Sequence, residues 1–138
     1  MKESMMKKLI LIGLGVMVAA SSSFGFEHIK NLKEFEKKIS KGNVIVEFYA
    51  PWCVPCKEMK RNLQKVNRKK EHIKIYQVNI DKSQDVVDMY GTPQVPAILY
   101  IKNGKILQGF VGLKLMPELK NDIKTYFKTK TLKVASKG

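Results

Sequence analysis

The chain has 138 residues and a formal charge of +14, from 26 Lys+Arg against 12 Asp+Glu, with 44% hydrophobic and 9% aromatic residues. That composition supports one modest core, which excludes a multidomain enzyme and a disordered polar chain, and no fixed-period repeat suggests a solenoid or propeller. Cys53 and Cys56 are the only cysteines, so there is no multi-bridged disulfide scaffold and no four-thiolate zinc site.

Residues 1–25 read as a secretory leader. Lys2, Lys7 and Lys8 give a basic start, Leu9 to Ala20 an uncharged apolar stretch, and Ser21 to Gly25 a small-residue cleavage region ending before Phe26. The competing reading is an uncleaved anchor over residues 9–25. Leu9 to Phe26 carries no charge and sits at the short edge of what spans a bilayer. Its serines and glycines favour cleavage. No Cys lies there to carry a lipid. Under both readings the folded part, residues 26–128, is exported to an oxidising side of the membrane, periplasmic or otherwise extracytoplasmic.

The domain then alternates helix and strand. Asn31 can cap a helix, with Glu34 three residues on and Leu32, Phe35 and Ile39 on one face, ending at Lys41-Gly42-Asn43. Val44 to Ala50 (VIVEFYA) is nearly continuous apolar sequence, as in a strand covered on both faces. After Pro51-Trp52-Cys53 a helix is predicted to about Lys69, burying Met59, Leu63 and Val66. Ile73 to Ile80 is the next strand, followed by a short helix near Ser83 to Met89 that Gly91 breaks. Val95 to Lys102 and Ile106 to Val111 form a hairpin around Asn103-Gly104. Pro117 opens a last helix with Leu119, Ile123, Tyr126 and Phe127 at helical spacing, and residues 129–138 are a basic tail. From Val44 the order β-α-β-α-β-β-α predicts an α/β domain with a mixed sheet between helices.

The lysine surplus does not indicate nucleic-acid binding. Every basic residue except Arg61 and Arg68 is Lys, whereas base readout and bidentate phosphate contacts lean on Arg. No nucleic-acid motif accompanies the charge. A solvated lysine-rich surface is the simpler reading.

The chemistry concentrates where a buried strand feeds a helix. Trp52-Cys53-Val54-Pro55-Cys56-Lys57 places two thiols on a helix N-terminus. Free N–H groups and the helix dipole there favour an anion and lower the pKa of the leading thiol, Cys53. Pro55 suits the first turn. Cys56, predicted to be the more buried, is the resolving sulfur and Cys53 the attacking one. Two alternatives compete. A zinc half-site would need His28 or His72, both in segments not expected to meet the motif. A purely structural disulfide closing so short a loop would stabilise the fold little.

Glu47 is the lone charge in VIVEFYA. Burial there raises a carboxyl's pKa and suits it to exchange protons with Cys56; an edge position reaching solvent is the alternative. Pro96 heads the strand from Val95, where a trans proline is the default and a cis Val95–Pro96 bond the alternative.

Together VEFYAPWCVPCK, VNID (78–81), YGTPQVPA (90–97), KNGK (102–105) and Val111-Gly112 resemble the thioredoxin superfamily in order and spacing, over roughly residues 27–127. The resemblance implies the thioredoxin fold, with helices on both faces of a central mixed sheet. It implies that Pro96 is a cis-proline facing the disulfide, that Val95 offers backbone groups to an extended substrate, and that Trp52 packs beside the sulfurs. Val54-Pro55 replaces the usual Gly-Pro, so Val54, Pro55 and Lys57 are read as tuning the redox potential. Glu47 stands for the usual Asp, Gln77 for a common Lys near that acid, and Ala97 for a common Thr.

The expected function is a thiol-disulfide oxidoreductase acting on exported proteins, more reducing than oxidising. It would use the Cys53–Cys56 pair with no cofactor and no metal. Its implied partners are protein disulfides and dithiols and a membrane thiol-disulfide electron donor, with no specific nucleic acid and a monomeric state. The alternatives are a dedicated reductase, for example in cytochrome c assembly, and a non-catalytic binding module on the same scaffold.

Overall fold

The structure is a computed structural model that describes residues 25–91 and 94–128. The expected leader up to residue 24, Thr92-Pro93 and the tail 129–138 lie outside the described residues. The elements are β1 (Glu27–His28), α1 (Leu32–Ile39), β2 (Asn43–Tyr49), α2 (Val54–Gln64), α3 (Arg68–Glu71), β3 (Ile73–Asn79), α4 (Gln84–Tyr90), β4 (Ala97–Lys102), β5 (Lys105–Val111) and α5 (Met116–Ile123), with a π-helical turn over Lys124–Lys128. They form a five-stranded sheet in the order β1-β3-β2-β4-β5. β1, β3 and β2 run parallel, and β4 and β5 are antiparallel additions. This is the mixed sheet between helices that the sequence predicts.

β2 shows why its sequence is almost continuously apolar. Val44, Val46 and Phe48 pack with Phe35 and Ile39 of α1 and Val86 of α4. Ile45, on the other face, packs with Met59 and Leu63 of α2 and Leu119 and Ile123 of α5. Successive side chains alternate between faces, so Glu47 points to the α2 side.

Local chemistry sets the element ends. Asn31 Oδ1 accepts from the Glu34 N–H at 2.9 Å, while Glu34 Oε2 accepts from the Lys30 N–H at 2.9 Å, a reciprocal cap at the start of α1. Asn103 (φ 50°) and Gly104 (φ 81°) adopt the left-handed conformation that a tight two-residue hairpin turn requires.

Several elements differ from the sequence prediction, most by a single residue at an end. β1 was not foreseen, being two exposed polar residues with no periodicity of their own. The helix expected to reach Lys69 ends at Gln64. Val66 turns into the core there, and Asn67 Oδ1 accepts from the Lys70 N–H at 3.1 Å to start α3. β4 begins at Ala97 rather than Val95, since Pro96 has no N–H for the ladder. The last helix opens at Met116 and gives way to a π-turn that carries Phe127 into the core.

Candidate active site

β2 delivers the chain through Ala50-Pro51-Trp52 to Cys53, whose N–H donates to the Ala50 carbonyl at 3.1 Å. Cys53 (φ −87°, ψ 109°) is the extended N-cap of α2, with Pro55 in the first turn. Its Sγ accepts from the Cys56 N–H at 3.2 Å. The same contact gives a free Cys53 thiolate a hydrogen-bond donor where the helix end already favours negative charge.

Cys53 and Cys56 form a disulfide with Cα atoms 5.3 Å apart. It is lodged with Ala50 among Tyr49, Ile80 and Val95. The expected contrast in burial is slight, since Cys53 is 5% exposed and Cys56 3%. What separates the sulfurs is position: Cys53 caps the helix and Cys56 sits inside its first turn.

The Val95–Pro96 bond is cis, as the resemblance implies and against the default trans reading. The Pro96 carbonyl accepts from the Gly112 N–H at 2.8 Å, which ties this loop to the end of β5. Trp52 is 66% exposed, and its Nε1–H donates to Asp81 Oδ2 at 3.1 Å. Val54 and Lys57 are exposed on the first turn of α2.

Glu47 is fully buried, which removes the reading in which it reaches solvent from a sheet edge. Its Oε1 accepts from Gln77 Nε2 at 2.6 Å, and Oε2 has no hydrogen-bond partner among the described residues. Burial pushes its pKa up to about 7, opposed by the Gln77 hydrogen bond and the positive charge of Lys60. A carboxyl balanced there can give or take a proton at neutral pH.

His28 contradicts its expected placement. Parallel register puts it opposite Gln77, which is itself opposite Glu47, so the three form one row on the α2 side of the sheet. His28, Tyr49, Cys56, Lys60 and Gln77 line a cleft of about 160 Å³ beside the disulfide. His72, by contrast, ends α3 in the left-handed conformation and does not line this cleft. Among the described residues, no group of three or more His, Cys, Asp or Glu is placed to hold a metal.

The chain is similar in sequence and fold to known proteins. The sequence model of the Thioredoxin family matches residues 27–125. The chain is 31% identical over 83 residues to thioredoxin of Bacillus subtilis, covering 59% of this chain and 80% of that protein. It is 33% identical over 82 residues to thioredoxin of Chlamydia trachomatis, with the same two coverages. Among solved structures it is similar to mitochondrial thioredoxin 3 of Saccharomyces cerevisiae in its oxidised form, at TM-score 0.66 and 26% identity over 72% of this chain and 94% of that one. A mutant thioredoxin of Halobacterium salinarum shares the fold at TM-score 0.69 and 22% identity, over 80% of this chain and 98% of that one.

Proposed function

The chain belongs to the thioredoxin family and is a thioredoxin-like protein-disulfide oxidoreductase, and from that premise we propose that it reduces disulfides in exported proteins. The observation that carries the mechanism is the Cys53–Cys56 disulfide at the start of α2 with buried Glu47 on the strand feeding it. In the reduced protein the Cys53 thiolate attacks a substrate disulfide. One substrate sulfur bonds to Cys53, and the other leaves as a thiolate that takes a proton from solvent. Glu47 carboxylate then accepts the Cys56 proton. The Cys56 thiolate attacks Cys53, re-forms the internal disulfide and expels the reduced substrate.

Val95 and cis-Pro96 would offer the extended substrate an edge beside the sulfurs, and exposed Trp52 an apolar surface. Val54, Pro55 and Lys57 would set the potential through the first turn of α2. Export is supported by the leader pattern of residues 1–25. It requires an extracytoplasmic thiol donor, reached through the membrane, to return Cys53 and Cys56 to the dithiol.

The test is insulin reduction by dithiothreitol, which the protein should accelerate and Cys53→Ser should not. Cys56→Ser, expressed with the full leader, should accumulate mixed disulfides with extracytoplasmic proteins. Capture of cytoplasmic proteins alone would refute export, and equal turnover by Cys53→Ser would refute the chemistry.

A further inference from the structure

The His28–Gln77–Glu47 row lies under α2, and Lys60 of that helix is half-buried at the same cleft. The cleft is lined by Cys56 at one side and by Gln77, the hydrogen-bond partner of Glu47, at another. It has room for several waters. We propose that Lys60, which lines this cleft with Cys56 and Gln77, is a positioning residue for disulfide exchange, holding Glu47 as the carboxylate that takes the Cys56 proton. The inference rests on the role given to Glu47 in the proposed function.

Gln77 satisfies one carboxylate oxygen but brings no charge, so the ionised form needs a cation from elsewhere. The surroundings leave few sources. From α2 come Lys60 and the more exposed Lys57. β1 contributes His28, and β2 the Tyr49 phenol. From β4 the residue opposite Glu47 is Ile98, which is apolar. His28 is itself held toward neutrality, first by partial burial and then by Lys60 and Lys82. Lys60 also acts on Glu47 in the direction that favours the carboxylate. One fixed charge therefore does two things: it keeps the carboxyl ionisable near neutral pH, and it discourages a second cation at His28.

The Cys56 step can be isolated by mixing reduced full-length protein with 5,5′-dithiobis(2-nitrobenzoate). Attack by Cys53 releases one thionitrobenzoate, and attack by Cys56 on the resulting mixed disulfide releases the second. The pH midpoint of the second release should rise by about half a unit to one unit in Lys60→Met and return in Lys60→Arg. The midpoint of the first release should stay in place. An unmoved second midpoint in Lys60→Met, with Glu47→Gln still abolishing the parent titration, overturns the role of Lys60 and leaves that of Glu47 standing. If Glu47→Gln keeps the parent midpoint, both readings fall. In a Glu47→Gln background, Lys60→Met should add no shift of its own; an added shift would mean that Lys60 acts on the thiols directly, which overturns the route through Glu47.

Discussion

Gln77 Nε2 donates to Glu47 Oε1 at 2.6 Å, between two residues directly opposite each other in the β2–β3 register. The bond satisfies half of a buried carboxyl and leaves the other oxygen without a partner among the described residues. Glu47 has its pKa raised from 4.5 to about 7, so between these values the folded protein binds more protons than the unfolded chain. Its contribution therefore lowers stability as pH rises through that window, by about 3 kcal/mol in all. Glu47→Gln removes the slope. In the oxidised form the variant should match the parent near pH 4 and exceed it by about 1–3 kcal/mol at pH 8. Urea unfolding at the two pH values measures this, and an equal difference at both would exclude a raised carboxyl pKa.

A second buried acid, Asp122, has a hydroxyl and a cation as partners. Tyr100 Oη donates to Asp122 Oδ2 at 2.6 Å, and Lys114 Nζ lies 2.9 Å from the same oxygen. Burial and Asp122 push the Tyr100 phenol well above its ordinary range. Tyr100→Phe removes one neutral donor and should cost about 1–2 kcal/mol. Lys114→Met strips the cation from a largely buried carboxylate and should cost more, about 3 kcal/mol. Both should leave insulin reduction unchanged when the folded fraction is equal. Urea titration of the two variants checks the order, and a larger loss in Tyr100→Phe would contradict it.

What the sequence made legible follows from where information is local. The two-sided burial of β2 is written in VIVEFYA, the α1 cap in Asn31 and Glu34, and the hairpin turn in Asn103-Gly104. The redox pair was legible because Cys53, Pro55 and Cys56 fall within one helical turn. His28 was not. Its place beside the site depends on the register of β1 on β3 and of β3 on β2, and strands joined through intervening helices leave no trace of register in a short window. The end of α2 was hidden for a related reason. Val66 continues the apolar spacing of a helix, but it reaches the core from a turn, where tertiary packing overrides the periodic pattern.

Gly91 caps α4 with its N–H donating to the Val87 carbonyl at 2.9 Å. Its φ of −97° is open to any residue, so the need for glycine is one of space. A Cβ added there would lie 2.8 Å from Val87 Cα and 3.1 Å from Phe48 Cε1. The first neighbour is backbone and cannot rotate away, so the loop or α4 must shift. Gly91→Ala should lower stability by about 1–3 kcal/mol, read as a lower urea midpoint with an unchanged denaturant slope. Parent-like stability would show that the loop yields freely.

His28 offers a direct check on the electrostatics of the cleft. Its Nδ1 is 3.1 Å from Tyr49 Oη, and the two rings meet edge to face with centroids 5.5 Å apart. Partial burial, then the charges of Lys60 and Lys82, lower its pKa from 6.5. The folded protein therefore binds fewer protons at His28 than the unfolded chain below that pH, and protonating it opposes folding as the solution is acidified. The imidazole C–H resonances of His28, followed by NMR, should titrate with a midpoint below 6.5. Lys60→Met and Lys82→Met should each move that midpoint up, with the larger movement in Lys60→Met. A parent midpoint at or above the ordinary histidine value would mean that the cleft does not hold His28 neutral, and an upward shift confined to Lys82→Met would place the controlling charge outside α2.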